Sequence, residues 1–260
     1  MIADGYDAFL FDLDGVLYRG DSPVPHAAES VARLRSLGKS LAFVTNNSGR
    51  TPERVAERLR SVGVDADARE VETSALTTAS VLAARGVQRV FVVGEAGIIG
   101  ALEAADIEVV RGEPHAVDAV VVGWDRQADY AKLRVASVLV QRGASLVATN
   151  PDPSFPAADG TKWPGAGALL AAIETTTGVH GEVIGKPYPP LLRAALVRAG
   201  GGRPLLIGDR LDTDIAGAAG VGWHSLLVLT GISSRVDVDG SAVRPTYMSD
   251  DLRGLFAEAP

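Results

Sequence analysis

Short apolar runs rich in Val, Ile, Leu and Phe alternate along the chain with stretches in which apolar residues recur at helical spacing. The runs Ala8 to Phe11, Leu41 to Val44, Val90 to Val93, Ala119 to Val122, Leu146 to Ala148, Leu205 to Ile207 and Ser225 to Leu229 read as strands. Each is short and apolar on both faces, as expected of strands covered by helices on either side rather than of one-sided antiparallel strands. Between them, Thr51 can cap a helix with Pro52 at its first position, and Val55, Leu59 and Val62 share one face before Gly63. Thr73 or Ser74 to Ala84, Tyr130 to Arg142 and Leu191 to Ala199 read the same way. The alternation predicts an α/β fold of βαβ units around a parallel sheet.

With 260 residues the chain can form one large or two modest domains. A hydrophobic content of 47% and a charged content of 22% are ordinary for a globular protein and predict that the whole chain folds. The absence of cysteine excludes disulfides, thiolate nucleophiles and cysteine-held zinc. His26, His115, His180 and His224 are scattered without the spacing of a metal motif and read as surface or half-buried imidazoles. Asp4 and Asp7 lie where a signal peptide would need basic residues, and no apolar run is long enough to span a bilayer, so the expectation is a cytoplasmic protein with no membrane partner. A net charge of -7 argues against a nucleic-acid partner, because phosphate-backbone binding needs a basic face. Only Lys39, Lys132, Lys162 and Lys186 are lysines, which gives weight to a lysine in a suggestive place.

Four segments carry candidate chemistry. Phe11-Asp12-Leu13-Asp14-Gly15-Val16-Leu17 follows the first expected strand, and in open parallel sheets ligands bind beyond the carboxyl ends of strands. Alone, the segment is equally compatible with a solvated acidic turn. Thr45-Asn46-Asn47-Ser48 ends the second strand with neutral donors suited to phosphate oxygens, or with an ordinary Asx turn. Gly185-Lys186-Pro187 holds one of the rare lysines, which could also be simply solvated. Gly208-Asp209-Arg210-Leu211-Asp212-Thr213-Asp214-Ile215 places three carboxylates within six residues of a strand end. Hard oxygen ligands so grouped suit Mg²⁺, although an acidic helix N-terminus accounts for Asp212.

Taken together, the four strand ends supply carboxylates, neutral donors, a cation and a metal-ligand group. The ordered series D-x-D-G-V-L, T-N-N-S, G-K-P and G-D-R-x-x-T-D-I resembles the haloacid dehalogenase superfamily over nearly the whole chain. The long middle segment looks like the large α/β cap of its type IIA phosphatases. Val121-Val122-Gly123-Trp124-Asp125, Ala148-Thr149-Asn150-Pro151-Asp152 and Pro164-Gly165-Ala166-Gly167-Ala168 are similar to phrases of p-nitrophenylphosphatase-like members. The resemblance implies a Rossmann-like catalytic core from residues 1–78 and 183–260, with an inserted cap of 79–182. It also implies a phosphatase of small phosphorylated metabolites that works through an aspartyl phosphate. Asp12 would be the nucleophile and Asp14 the acid and base. Mg²⁺ would be held by the carboxylates of Asp12 and Asp209 and the backbone carbonyl of Asp14, with Asp214 nearby. Lys186, Thr45, Asn46 and Asn47 would hold the phosphoryl group. Members with this cap commonly pair through it, so a homodimer is expected. Arg210 fits either a substrate contact or a surface salt bridge, and Gly231 to Pro260 reads as a closing tail with little functional content.

Competing readings are weaker. Gly94-Glu95-Ala96-Gly97-Ile98-Ile99-Gly100 has the spacing G-x-x-G-x-x-G, not that of a dinucleotide fingerprint, and reads as tight packing. Gly185-Lys186-Pro187 lacks the other glycine of a P-loop, since His180 occupies its place. A receiver domain has no use for the insertion, and a dehalogenase none for a metal group at Asp209. A non-catalytic sensor of phosphorylated metabolites would share the fold, but every group needed for turnover is present.

Overall fold

The computed structural model describes residues 1–156 and 161–258. The chain starts with β1 (Ala8–Phe11), a short hairpin of β2 (Tyr18–Arg19) and β3 (Ser22–Pro23), then α1 (Ala27–Ser36), β4 (Ser40–Thr45), α2 (Pro52–Ser61) and β5 (Val71–Thr73). Its middle comprises α3 (Ser74–Ala84), β6 (Arg89–Val93), α4 (Ala96–Ala104), β7 (Glu108–Val110), β8 (Ala119–Val122), α5 (Tyr130–Gln141) and β9 (Ser145–Ala148). The hairpin strands β10 (Ser154–Pro156) and β11 (Lys162–Pro164), then α6 (Ala166–Thr177) and β12 (Glu182–Val183), complete that part. The last third contains α7 (Pro189–Arg198), β13 (Pro204–Gly208), α8 (Ala216–Gly220), β14 (His224–Val228), α9 (Arg235–Gly240) and β15 (Tyr247–Ser249). All seven expected strands are present, and the α/β fold is the one the alternation predicts.

The elements form two compact units: Met1–Thr45, Pro52–Glu72 and Lys186–Pro260 in one, Asn46–Thr51 and Thr73–Gly185 in the other. The first unit is built on a six-stranded sheet in the order β15-β14-β13-β1-β4-β5. Its strands from β15 to β4 are parallel. Successive residues of a strand point to opposite faces, so β1 divides cleanly. Phe9 and Phe11 join Leu41, Phe43, Leu205, Ile207, Leu226 and Val228 on one side. Ala8 and Leu10 join Ala42, Val44 and Leu206, against Leu191, Leu192 and Ala195 of α7, on the other. Each fully buried large side chain here contributes about 1.5–3 kcal/mol. With both faces filled, the ends of β1, β4 and β13 are held firmly in register.

The second unit repeats this logic in a five-stranded parallel sheet, β12-β9-β8-β6-β7. Val90, Val92, Ala119, Val121 and Val147 face one cluster, and Phe91, Val93, Val120, Val122, Leu146 and Ala148 the other. Thr73 caps α3, its Oγ1 accepting from Leu76 N–H at 3.1 Å, which decides between the two expected starts of that helix. The G-x-x-G-x-x-G stretch packs chain against chain, with Gly97 N–H donating to Gly49 O at 3.2 Å. Among the described residues no helix is long and apolar enough to cross a membrane.

Candidate active site

The parallel register of β4, β1 and β13 brings three strand ends side by side within the first unit. Thr45 is the last residue of β4, Asp12 directly follows β1, and Asp209 directly follows β13. Lys186 opens the segment that returns to this unit. Its Nζ contacts Asp12 Oδ1 at 2.5 Å, Asp214 Oδ1 at 2.8 Å and Val44 O, next to Thr45, at 3.5 Å. The lysine side chain is only 3% exposed, so this is a buried ammonium rather than a solvated one.

Carboxylate oxygens of Asp12, Asp209 and Asp214 all lie within 4.8 Å of one another. Asp214 comes as close as the other two because residues Leu211–Ile215 form a π-helical turn. In that turn Ile215 N–H and Asp214 N–H both donate to Arg210 O, at 3.1 Å each. The wider turn carries Asp214 back under the strand end, where its Oδ2 accepts from Arg210 N–H at 3.2 Å. Arg210 itself makes a two-pronged contact to Asp212, at 3.0 and 2.7 Å, which accounts for both charges in this exposed part of the turn. Asp14 lies two residues beyond Asp12, exposed, in a tight turn where Gly15 N–H donates to Tyr18 O at 2.7 Å. The carboxylate cluster therefore comprises Asp12, Asp209 and Asp214.

Asp209 is buried and held from the backbone. Ile232 N–H donates to its Oδ2 at 2.7 Å and Ser233 N–H to its main-chain oxygen at 3.0 Å. Its Oδ1 is buried without a hydrogen-bond partner among the described residues. Two glycines make room for this carboxylate. A Cβ on Gly231 would stand 1.9 Å from Asp209 Oδ2, and one on Gly15, whose φ is +81°, would stand 2.4 Å from it. Thr230 Oγ1 donates to Gly15 O at 2.6 Å, and Ser233 Oγ accepts from Leu211 N–H at 3.1 Å. Residues 230–233 bind the first and last acidic segments together, contacts that the reading of Gly231 to Pro260 as a closing tail did not foresee. Backbone amides of Ile232 and Ser233 and the hydroxyls of Thr230 and Ser233, common groups on common residues, leave no recognisable spacing. The only signal for them is position, directly after a strand that neighbours β13.

Electrostatics set this cluster apart. Burial, opposed by Lys186 and reinforced by Asp214, pushes the Asp12 carboxyl up to about 7. Burial, with Asp12 and Asp214 adding to it, pushes Asp209 up to about 8. For Lys186 burial acts against the charge, but Asp12 and Asp214 outweigh it and raise its pKa above the ordinary lysine value. Three carboxylates against one ammonium give a net charge of -2 when all are ionised (-3 + 1).

Asn46 and Asn47, expected with Thr45, belong to the second unit. There Asn46 Nδ2 donates to Asp152 Oδ2 at 3.0 Å, and Asn46 O accepts from Ser74 Oγ and Asn150 Nδ2, both at 2.7 Å. Asn47 Oδ1 accepts from Gly49 N–H at 2.9 Å. Neighbouring Ser48 is tied to Thr149 Oγ1 at 3.1 Å.

Known proteins resemble this chain over nearly its full length. Residues 9–108 match the family profile of the haloacid dehalogenase-like hydrolases, and residues 183–255 match a second profile of that kind. The acid sugar phosphatase of Staphylococcus aureus (strain USA300) is 39% identical over 256 residues, covering 97% of this chain and 98% of the relative. The crystal structure of glycerol phosphate phosphatase from Mycobacterium tuberculosis in complex with magnesium is similar, with a TM-score of 0.92 at 38% identity over 98% of this chain and 77% of that one. The p-nitrophenyl phosphatase from Archaeoglobus fulgidus gives a TM-score of 0.90 at 33% identity, covering 97% and 99%. Agreement of this order over nearly the full length means that the chain belongs to the haloacid dehalogenase-like hydrolases, among their phosphatases.

Proposed function

We propose that this phosphatase hydrolyses small phosphorylated metabolites with Mg²⁺, through an aspartyl phosphate on Asp12. The observation that carries the reading is the group of three clustered carboxylates around one buried ammonium, with Asp209 Oδ1 buried and unpaired. Such a group is costly unless a cation joins it: two like charges 4 Å apart repel by about 4 kcal/mol at an effective dielectric near 20. The surplus of two negative charges and the all-oxygen donor set fit a hard divalent cation. Asp12 and Asp209 would hold it with the backbone carbonyl of Asp14, and Asp214 beside them. When bound, Mg²⁺ supplies positive charge that offsets the repulsion between a carboxylate and a phosphate dianion.

The chain's own groups do the rest. Lys186 fixes Asp12 Oδ1 and presents its charge where the phosphoryl group must arrive. Asp12 attacks phosphorus, the ester bond to the alkoxide breaks, and Asp14 delivers the proton that the alkoxide needs. Asp14 then takes a proton from the water that attacks the aspartyl phosphate, which releases inorganic phosphate and restores Asp12. An exposed position suits this proton traffic, and Asp14 is exposed. Thr45, at the end of β4 beside the cluster, is assigned to the phosphoryl oxygens. All four groups of the charged cluster lie in the first unit, which supports reading that unit as the catalytic core; the expected bounds, core 1–78 and 183–260 around a cap of 79–182, differ from the two units by placing 46–51, 73–78 and 183–185 with the core. The names of the relatives point to phosphorylated sugars or glycerol phosphate as the first substrates to try.

Replacing Asp12 by Asn tests the mechanism. Mg²⁺-dependent hydrolysis of p-nitrophenyl phosphate should fall by at least about 10³-fold while the protein stays folded. Hydrolysis at the rate of the unaltered enzyme would overturn the reading.

A further inference from the structure

The segment after β14 touches both acidic segments of the first unit, yet none of its side chains belongs to the charged cluster. Thr230 Oγ1 donates to Gly15 O at 2.6 Å, so it fixes the peptide group one residue beyond the Asp14 carbonyl. Ile232 N–H occupies Asp209 Oδ2 at 2.7 Å, and Ser233 N–H holds the Asp209 main chain at 3.0 Å. Ser233 Oγ then receives Leu211 N–H at 3.1 Å, which anchors the start of the π-helical turn that carries Asp214. Gly231, between these contacts, lies so close to Asp209 that any side chain would collide with its carboxylate. The result is selective: one oxygen of Asp209 is consumed by the backbone, and the other is left buried and unpaired.

We propose that residues 230–233 form a positioning clasp for the divalent-cation site, with Thr230 the residue that locks the Asp14–Gly15 turn to Asp209. The inference rests on the reading of Asp12, the Asp14 carbonyl and Asp209 as cation ligands, and it assigns a task to residues outside that set. The clasp acts through two constraints. Ile232 N–H orients the carboxylate so that Oδ1 is the free lobe. Thr230 keeps the Asp14–Gly15 turn at a fixed distance from it, so the donors are organised before the cation arrives and less ordering accompanies binding. The hydroxyl is the active part of Thr230, which makes Thr230→Val, equal in size but unable to donate, the informative change. Thr230→Ser restores the donor.

The experiment is a Mg²⁺ titration of the metal-free protein without substrate, read as the rise in Tm and repeated by calorimetric binding. Thr230→Val should need about tenfold more Mg²⁺ than the unaltered protein, which corresponds to the loss of one partly buried hydrogen bond. Thr230→Ser should return to within about twofold of the unaltered protein. Gly231→Ala, which displaces the Asp209 carboxylate directly, should weaken binding at least as much and serves if Thr230→Val does not fold. A lower metal-free Tm with an unchanged Mg²⁺ midpoint in these variants would reduce the clasp to a structural contact and overturn the proposal. The mechanism is judged separately. Loss of hydrolysis in Asp12→Asn with unaltered Mg²⁺ binding in the Thr230 and Gly231 variants removes the clasp alone. Undiminished hydrolysis in Asp12→Asn with weakened Mg²⁺ binding in those variants removes the mechanism and leaves the clasp.

Discussion

Each unit places a buried carboxylate and a lysine near a strand end, and the two groups are built on opposite principles. In the second unit Asp125, just past β8, meets Lys132 at 2.6 Å, and its other oxygen accepts Gln127 N–H at 2.9 Å. One negative charge meets one positive charge and both carboxylate oxygens are used. In the first unit Lys186 is shared by Asp12 and Asp214, Asp209 stands close by, and one buried oxygen has no hydrogen-bond partner among the described residues. A balanced pair is complete without a ligand and serves the fold. An unbalanced cluster is a standing cost in stability that a bound cation and a phosphate ester can relieve, which is the mark of a site.

Removal of each lysine separates the two groups most strongly. Lys186→Met leaves three clustered carboxylates without their ammonium. Phosphatase turnover should fall by about 10²-fold or more, and metal-free stability at pH 8, measured by urea unfolding, should drop by about 3–5 kcal/mol. Retention of both would show that the first cluster is not held as the geometry indicates.

A second effect concerns pH and metal. Asp12 and Asp209, pushed up to about 7 and about 8 chiefly by burial, hold protons in the native state that the unfolded chain has already released. Native protein therefore binds more protons than unfolded protein between about pH 4 and 8, and metal-free stability must fall as pH rises through that window. Mg²⁺ should raise Tm by several degrees more at pH 8 than at pH 5, since only the ionised carboxylates attract it. A Mg²⁺ shift that is equal at both values would contradict the assignment.

The smallest effect belongs to the balanced pair. Lys132 is partly exposed, so water can serve Asp125 when the lysine is lost, and Lys132→Met should lower stability by about 1–3 kcal/mol. Its kcat/KM should stay within about twofold of the unaltered enzyme, with no change in the Mg²⁺ midpoint. A large catalytic loss here would erase the distinction between the two groups.

How far the sequence could be read follows from what each residue contributes. Asp12 and Asp209 were legible because each directly follows a strand of one parallel sheet, and parallel sheets bring such ends together, whereas Lys186, three residues past β12 of the second unit's sheet, stood out as one of few lysines, set between Gly185 and Pro187. Edge strands such as β7 and β12 were not legible, since two or three half-exposed residues carry too little apolar pattern to stand out from a loop. Asp214 could be placed in the right segment but not at the right distance. Its approach depends on the π-helical turn at Leu211–Ile215, which no composition rule signals. Asn46 reads as a continuation of Thr45, yet its side chain is held by Asp152, more than a hundred residues away in sequence.

The alternation of apolar runs and amphipathic helices was enough to determine an α/β chain with parallel sheets, and the order of its four polar segments was enough to determine its family. Both are written in local residue choice, because strand burial and motif spacing are local properties. Only the tertiary structure decided which oxygen of Asp209 is spoken for, that Asp214 joins Asp12, and that residues 230–233 tie the two acidic segments together. Those are matters of distance between backbone groups far apart in the chain, and a backbone amide looks the same in every residue that carries it.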